Sequence, residues 1–497
     1  MGGPRGVHRG GCVQRGAGFA EEGGGAGRAL ALGGTAPSLR TGHGGLRVTV
    51  ETTAQPRALR TIVATEAFDR FSFYGMITLL PLYLNAELLR PGTIETVLGL
   101  GGLQRLLFGS GTPSIIALGS AIYGLYAGTV SIMPLLGGVI GDRLIGARRA
   151  VLSGCLIMAA GHALMTQPAY FLVALVLLVT GSGMVRANMA AQVASLYGPD
   201  DPRRKGGFGI YLIGLNVGAM AAPLIAGTLG EKIGFDWGFG AAAIAMLVAI
   251  GVYVVGWRHL PVDALRRSGG AMRAKLSRRD GQVIGALVLM LLPLILMTAA
   301  YNQAFNILLV WAEAKVDRSV FGLTMPVTWF VSIDGALTII AVAVLTRIWA
   351  RQARAGRDWS DWRWIALGGT IQVAALLALA WGTWVAGAGQ VSIWPVLLFF
   401  LLSDIATPMS YTVIQSTFAR AAPLAIVAVM MAVFALYDAA SQFAVGALGG
   451  LYDRLTTVDF WLVHAGVAGL SLVAVAVLRP LIGPLLSPAA SAPDVPR

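Results

Sequence analysis

The sequence predicts an all-α polytopic membrane protein, with 12 transmembrane helices in two six-helix halves. Three observations predict it. The 497 residues have a mean hydropathy of +0.72, with 56% apolar and only 12% charged residues, where a soluble domain carries about 25% charged. The apolar residues run in continuous stretches long enough for a helix to cross the bilayer core, rather than in the short alternating segments of a barrel. The basic residues gather in every second loop between these stretches.

Residues 1–57 are unlike the rest. They are rich in Gly and Arg and lack the apolar core of a signal peptide. Gly2 follows Met1, but position 6 is Gly6 rather than the Ser or Thr of a myristoylation signal. This stretch is expected to be a disordered tail or a wrongly assigned translation start, with the functional chain beginning near Arg57. The N-terminal half, 58–257, holds spans near 60–84, 114–140, 148–166, 169–197, 207–230 and 236–257. A basic linker follows at 258–282. The C-terminal half, 283–482, holds spans near 283–310, 323–348, 363–386, 392–417, 423–450 and 458–481, and a short tail closes the chain at 483–497. Six spans on each side of a basic linker is the pattern of two repeat halves.

Even-numbered loops hold Arg143, Arg148, Arg149, Arg203, Arg204, Lys205, the linker with Arg266, Arg267, Arg273 and Lys275, and then Arg347, Arg351 and Arg420. Odd loops hold only Arg90, Arg105, Lys232, Lys315, Arg318 and Arg454. By the positive-inside rule, even loops and both termini are cytoplasmic. Only four of the 37 basic residues are Lys, a bias that suggests a GC-rich bacterial source and hence a cell (inner) membrane. The net charge of +13 sits in these loops and does not imply a nucleic-acid partner. Cys12, in the tail, and Cys155, in a span, do not suit a structural disulfide, and the five scattered histidines offer no metal-ligand spacing. No cofactor or metal is expected.

Charged residues inside spans are the main functional signal. The first span carries Glu66, Asp69 and Arg70 within about one and a half turns, and each charge at mid-membrane costs roughly 2.5–3.5 kcal/mol on insertion scales. With Phe73 they fall at i, i+3, i+4 and i+7, on one helix face. A carboxylate placed between a low-dielectric surrounding and an arginine can exchange a proton as that surrounding changes. The other reading of Glu66, Asp69 and Arg70 is a locked ion cluster that specifies packing. Arg186 lies too deep in span four to snorkel to the surface. Asp334, Asp404 and Asp438 lie near the midpoints of later spans, where a central cavity is the economical explanation. The plainer reading of each is a hydrogen bond to a nearby Ser, Thr or Gln, such as Gln442 one turn from Asp438. After span two, Gly137-Gly138 and Gly141-Asp142-Arg143, followed by Gly146 and Arg148-Arg149, allow a tight turn with a breakable charge cluster. Asp142, Arg143 and Arg148 are expected to form a conformational latch.

That loop resembles the signature of the major facilitator superfamily. The run Glu66-x-x-Asp69-Arg70-Phe71-Ser72-Phe73-Tyr74-Gly75 resembles the E-x-x-E-R-F-x-Y-Y-G motif of the proton-dependent oligopeptide transporters. Arg186-Ala-Asn188 stands where that family has Lys-Pro-Asn, and the segment from Phe208 to Ala219, with Asn216 and Gly218, is similar to its second signature. Tyr197 through Arg204, Trp237-Gly238-Phe239, and Trp329-Phe330-x-Ser332-x-Asp334 also fit. The resemblance covers about 60–480. It implies the major facilitator fold, proton coupling at Glu66, Asp69 and Arg70, and substrate binding by Arg70, Tyr74, Arg186, Asn216, Asp334, Asp404 and Ser403.

The chain departs from the family at several points. Ile77 and Asn302 stand where the family has an Arg and a Glu thought to gate the two halves. Phe73 and Ser131 replace tyrosines, and Asp334 replaces an Asn. Counting back from Pro408 puts Ser403 at the position of the family's span-ten Glu and Asp404 one residue off, while counting from Pro423 gives another register. The two additional helices common in bacterial members between spans six and seven are missing.

The expected function is proton-coupled symport of di- or tripeptides, or of peptide-like small zwitterions, by alternating access. The expected protein is a monomer in the lipid bilayer whose partners are this substrate and protons. One alternative is proton-coupled transport of a different organic solute on the same fold. Another, of a different class, is a non-transporting sensor or an enzyme. Within the spans the sequence has no GxSxG, no HExxH and no His/Asp pair at helical spacing, and the tail is too small for a signalling domain.

Overall fold

The computed structural model describes residues 54–198, 200–263, 276–357 and 359–486. Most of the expected N-terminal tail with Cys12, the linker residues Arg266, Arg267, Arg273 and Lys275, and the end of the C-terminal tail lie outside the described residues.

Each expected span has a long helix. In the N half these are α1 (Arg57–Tyr83), then a short α2 (Leu100–Phe108), α3 (Ile115–Ile140), α4 (Ala147–Met165), α5 (Phe171–Ser195), α6 (Arg203–Ala222) continued through a wide turn at Pro223–Gly227 into α7 (Thr228–Lys232), and α8 (Phe235–Gly256). In the C half they are α9 (Arg278–Tyr301), a short α10 (Ile307–Lys315), a hairpin of β1 (Ser319–Val320) and β2 (Leu323–Thr324), α11 (Trp329–Arg354), α12 (Asp361–Ala386), α13 (Ile393–Ala421), α14 (Val427–Gly449) and α15 (Thr457–Leu486). Ten of the described helical segments are long and apolar enough to cross a membrane. The two remaining long helices are α1, with its charged face, and α4, which packs on α5 and α8. This is an all-α polytopic membrane protein.

Apolar side chains divide between interior and lipid-facing surface. In the N half, the Tyr83 ring sits 5.1 Å from Phe239, 5.5 Å from Phe235 and 6.1 Å from Phe171, joining α1, α5 and α8. In the C half, Trp311 and Trp461 meet edge to face at 5.3 Å. Large apolar residues such as Val255, Trp394 and Ile244 are exposed on the outside of the bundle, as contact with lipid tails requires. Where α3 crosses α14, a Cβ at Gly124 would lie 2.6 Å from the Gly446 nitrogen, so the backbones touch as only glycine permits.

The structure corrects three expectations about elements. The seventh span does not run unbroken to 310: α9 stops at Tyr301 and the chain turns through Asn302–Phe305 before α10. Asn306 donates to Ser120 at 2.8 Å and Gln303 to the Val445 carbonyl at 3.0 Å, so these polar side chains bond to other spans. The eighth span begins at Trp329 rather than near 323, because residues before it form the hairpin. The helix α2 was not foreseen.

Ala54 and Gln55, on the tail side of the expected boundary, bond to the loop between α5 and α6. Tyr197 donates to Gln55 Oε1 at 2.7 Å, and Arg203 to the Ala54 carbonyl at 3.1 Å. There, hydrogen bonds from the Arg203 side chain and then its backbone N–H hold the Asp201 carboxyl below the usual carboxylate range. A chain starting at Ala54 is expected to melt as the full chain does. One starting at Arg57 loses the Tyr197 bond, worth about 1 kcal/mol, and is expected to melt lower in detergent; equal melting would show that these contacts do not matter.

Candidate functional site

Between the two halves lies a central cavity of about 350 Å³, in the range of small-molecule sites. A larger one of about 690 Å³ opens at one end of the C half, where Arg420 pairs with Asp361 at 2.9 Å. It is built only from α9, α12, α13, α15 and the turn before α12, so it is not placed to be exposed alternately by two moving halves. The smaller cavity is the candidate site.

Its N-half wall begins with α1. Glu66 and Asp69 are fully buried and Arg70 is half-buried. The one-turn spacing lets Arg70 Nε donate to Glu66 Oε1 at 2.7 Å. Glu66 Oε2 and both Asp69 oxygens are buried without a hydrogen-bond partner. Arg70, Phe73, Tyr74 and Ile77 line the cavity; Glu66 and Asp69 lie behind them. From α5, the Arg186 guanidinium stacks over the Phe73 ring at 3.9 Å, a cation–π contact. Its Nε and Nη2 are buried and unbonded. The phenylalanine that departs from the family motif is thus a platform for an arginine with donors to spare. Asn216, on α6, lines the cavity and donates to its own helix at the Leu212 carbonyl, 2.8 Å away.

The C-half wall is acidic. Asp334 on α11 lines the cavity and accepts from Tyr301 at 2.5 Å. Asp438 on α14 lines it too and accepts from Ser131 of α3 at 2.6 Å. Asp404 stands one layer back on α13, accepting from the cavity residue Thr338 at 2.5 Å. Ser403 does not reach the cavity: its neighbouring position on the helix turns it to α12, where Gln372 donates to it at 3.0 Å. Ile77 and Asn302 face the same space, so the expected gate is here an apolar side chain and an amide, with Asn302 donating to Ser441 at 3.4 Å.

The latch residues lie at the other end of α3. Asp142 and Arg143 are exposed on the turn at Gly141–Ile145. Arg148 is tied to the segment after α8: its backbone N–H donates to Asp263 at 2.9 Å, its guanidinium to the Leu260 and Pro261 carbonyls, and it lies 5.8 Å from the Trp257 ring centre.

Two features escaped the sequence. Ser72, on the buried side of α1, lies 2.5 Å from His162 Nε2 of α4, one turn from Asp69. At the end carrying the loops expected outside, Glu231 of α7 joins the halves. It accepts from the backbone N–H of Val327 at 2.7 Å and of Thr328 at 2.8 Å, and from the Thr328 hydroxyl at 2.6 Å. Arg318 approaches it at 3.8 Å. Thr328 is the N-cap of α11 and makes no side-chain cap bond within its own helix; Glu231 supplies the carboxylate that a helix N-terminus attracts. Lys232 to the Thr324 carbonyl, Trp329 to Thr228 and Ser332 to the Met220 carbonyl extend this seam.

Comparisons with known proteins agree with this architecture. A family model described as POT family matches residues 148–278 and 272–464. The chain is 33% identical over 289 residues to a di-/tripeptide transporter of Lactococcus lactis subsp. cremoris, a match covering 56% of this chain and 52% of that protein. It therefore spans about half the length of this curated relative. It is 26% identical over 488 residues to an uncharacterized transporter, YclF, of Bacillus subtilis (strain 168), covering 87% and 94% of the two chains. A crystal structure of peptide transporter POT in complex with sulfate superposes with a TM-score of 0.74 at 23% identity, covering 87% of this chain and 95% of that one. A POT family transporter in complex with 5-aminolevulinic acid gives 0.72 at 19% identity, covering 87% and 97%. At these identities the structures establish a shared fold.

Proposed function

The chain belongs to the POT family, and on that premise we propose that it is a proton-coupled symporter for di- or tripeptides or peptide-like small zwitterions. The observation that carries the proposal is the buried Glu66–Asp69–Arg70 set beside an arginine, Arg186, that has unspent donors at a central cavity. A substrate carboxylate suits Arg186 and Arg70, since guanidinium binds carboxylate through two parallel bonds. When Arg70 turns to the substrate, Glu66 loses its partner while still buried, and a proton takes the place of the arginine. Substrate and proton thereby bind together. Tyr74 and Asn216 orient the substrate, and Asp334 receives its amino group. The relatives named as di-/tripeptide transporters support this choice of substrate.

The cycle follows from the seam at Glu231. With the outer ends of α7 and α11 bonded, the cavity opens toward the cytoplasm; breaking that seam and closing the inner ends, with Asp142, Arg143 and Arg148 as latch, opens it outward. The protein acts as a monomer in the inner membrane of a bacterium with both termini inside, and its activity is transport rather than catalysis. The replacement of the family's gate by Ile77 and Asn302, and of an Asn by Asp334, favours a second reading in which the solute is a different organic molecule with a cationic group.

Uptake of labelled dipeptide into proteoliposomes is expected to require an inward proton gradient. Uptake that is unchanged when an ionophore collapses the gradient would contradict symport, and uptake of amines but not peptides would select the second reading.

A further inference from the structure

The distribution of charge around the cavity is uneven. Among the described lining residues both cations, Arg70 and Arg186, stand on the N half, and Arg70 is already bound to Glu66. Both lining acids, Asp334 and Asp438, stand on the C half, on different helices. Asp334 accepts a hydrogen bond from the Tyr301 hydroxyl, and Asp438 from Ser131 and Gln442, all neutral donors. The Ser131 hydroxyl has one proton and two acceptors within reach, Asp438 at 2.6 Å and the Ala127 carbonyl at 3.0 Å. Arg186 faces the same cavity and forms no ion pair with Asp438, and its Nε and Nη2 are unbonded. A zwitterion with one carboxylate would draw on Arg186, and its single amine would satisfy Asp334. Asp438 would then face the cavity as an acid with no cation beside it.

We propose that the cavity selects peptides bearing a second cationic group, and that Asp438 is the residue that determines this preference. It builds on the transport reading above and narrows its substrate to dipeptides with a basic side chain, whose side-chain ammonium or guanidinium takes the place at Asp438 while the α-amino group is held at Asp334. The preference arises because a neutral peptide leaves a carboxylate unpaired, which works against the wrong substrate as much as for the right one.

The test is competition for uptake of labelled Ala-Lys in proteoliposomes by unlabelled Ala-Lys, Ala-Ala and Ala-Glu. Ala-Lys is expected to compete about tenfold better than Ala-Ala, the effect of roughly one charge-assisted hydrogen bond, and Ala-Glu worse than either. Asp438→Asn is expected to bring the Ala-Lys to Ala-Ala ratio close to one. Asp438→Glu, which keeps the charge, retains the preference, and Asp334→Asn weakens both peptides together without changing their ratio. Equal competition by Ala-Lys and Ala-Ala in the unmodified protein would overturn the selectivity and leave peptide transport standing. A ratio that survives in Asp438→Asn would overturn the role of Asp438. If no dipeptide enters or competes, the selectivity and the transport reading fall together.

Discussion

Replacing Glu66 by Gln is expected to abolish accumulation of substrate against its gradient, so that the inside-to-outside ratio falls to about one, while counterflow exchange persists. The expectation follows from what the substitution keeps and removes. Gln fills the same buried space and still offers an oxygen to Arg70 Nε, now 2.7 Å from Glu66 Oε1, but it cannot take up and release a proton. Removing one partner of a buried ion pair costs roughly 3–5 kcal/mol when the remaining charge is stranded. Arg70 is not stranded here, because the preceding residue, Asp69, unbonded at both oxygens, interacts with it. The fold should therefore survive and the coupling should not. Exchange of labelled for unlabelled substrate needs no net proton movement and reads out binding and alternation alone. Equal loss of accumulation and exchange would assign Glu66 a structural role.

Glu231→Ala is expected to open the outer end of the bundle. The carboxylate receives three hydrogen bonds from the start of α11, at 2.6 to 2.8 Å, and an arginine at 3.8 Å. Hydrogen bonds to a charged group contribute roughly 1.5–3 kcal/mol each. If about 3–5 kcal/mol of that is specific to the outer-closed state, its loss shifts the balance between the two states by about a hundredfold or more. The effect should be large here because Ile77 and Asn302 stand where relatives are expected to hold an ion pair between the halves, leaving more of the closure to Glu231. Spin labels at the exposed Ile233 and Leu323 would report it as a longer distance between the outer tips. An unchanged distance distribution would show that the seam does not set the resting state.

The spans were legible because lipid imposes a simple demand: a run of apolar residues with every backbone group bonded within the helix. The turn at Asn302–Phe305 and the hairpin before α11 were not, because their causes lie on other helices. Asn302, Gln303 and Asn306 follow the last residue of α9, and their side chains bond to Ser441, Val445 and Ser120 on other spans. Within the site, the Glu66–Arg70 contact could be read from an i, i+4 spacing. The Ser131–Asp438 bond, across 307 positions, could not, nor could the stacking of Arg186 on Phe73. For Asp438 the sequence left open a cavity wall or a bond to Gln442, and the packing of α3 on α14 through Gly124 and Gly446 accompanies its place in the cavity lining. Ser403 shows the opposite limit. A motif register assigned it to the substrate, but on α13 adjacent residues point about 100° apart, and the structure turns Asp404 toward Thr338 and Ser403 toward Gln372.

Substrate and protons are expected to move through one cavity in one step. Proteoliposomes loaded with a pH-sensitive dye, with equal pH on both sides and the membrane potential set inside-negative, test it directly. Adding an unlabelled dipeptide outside is predicted to acidify the interior in the unmodified protein and to leave it unchanged in Glu66→Gln. Dipeptide entry without acidification, measured in the same vesicles, would contradict the account.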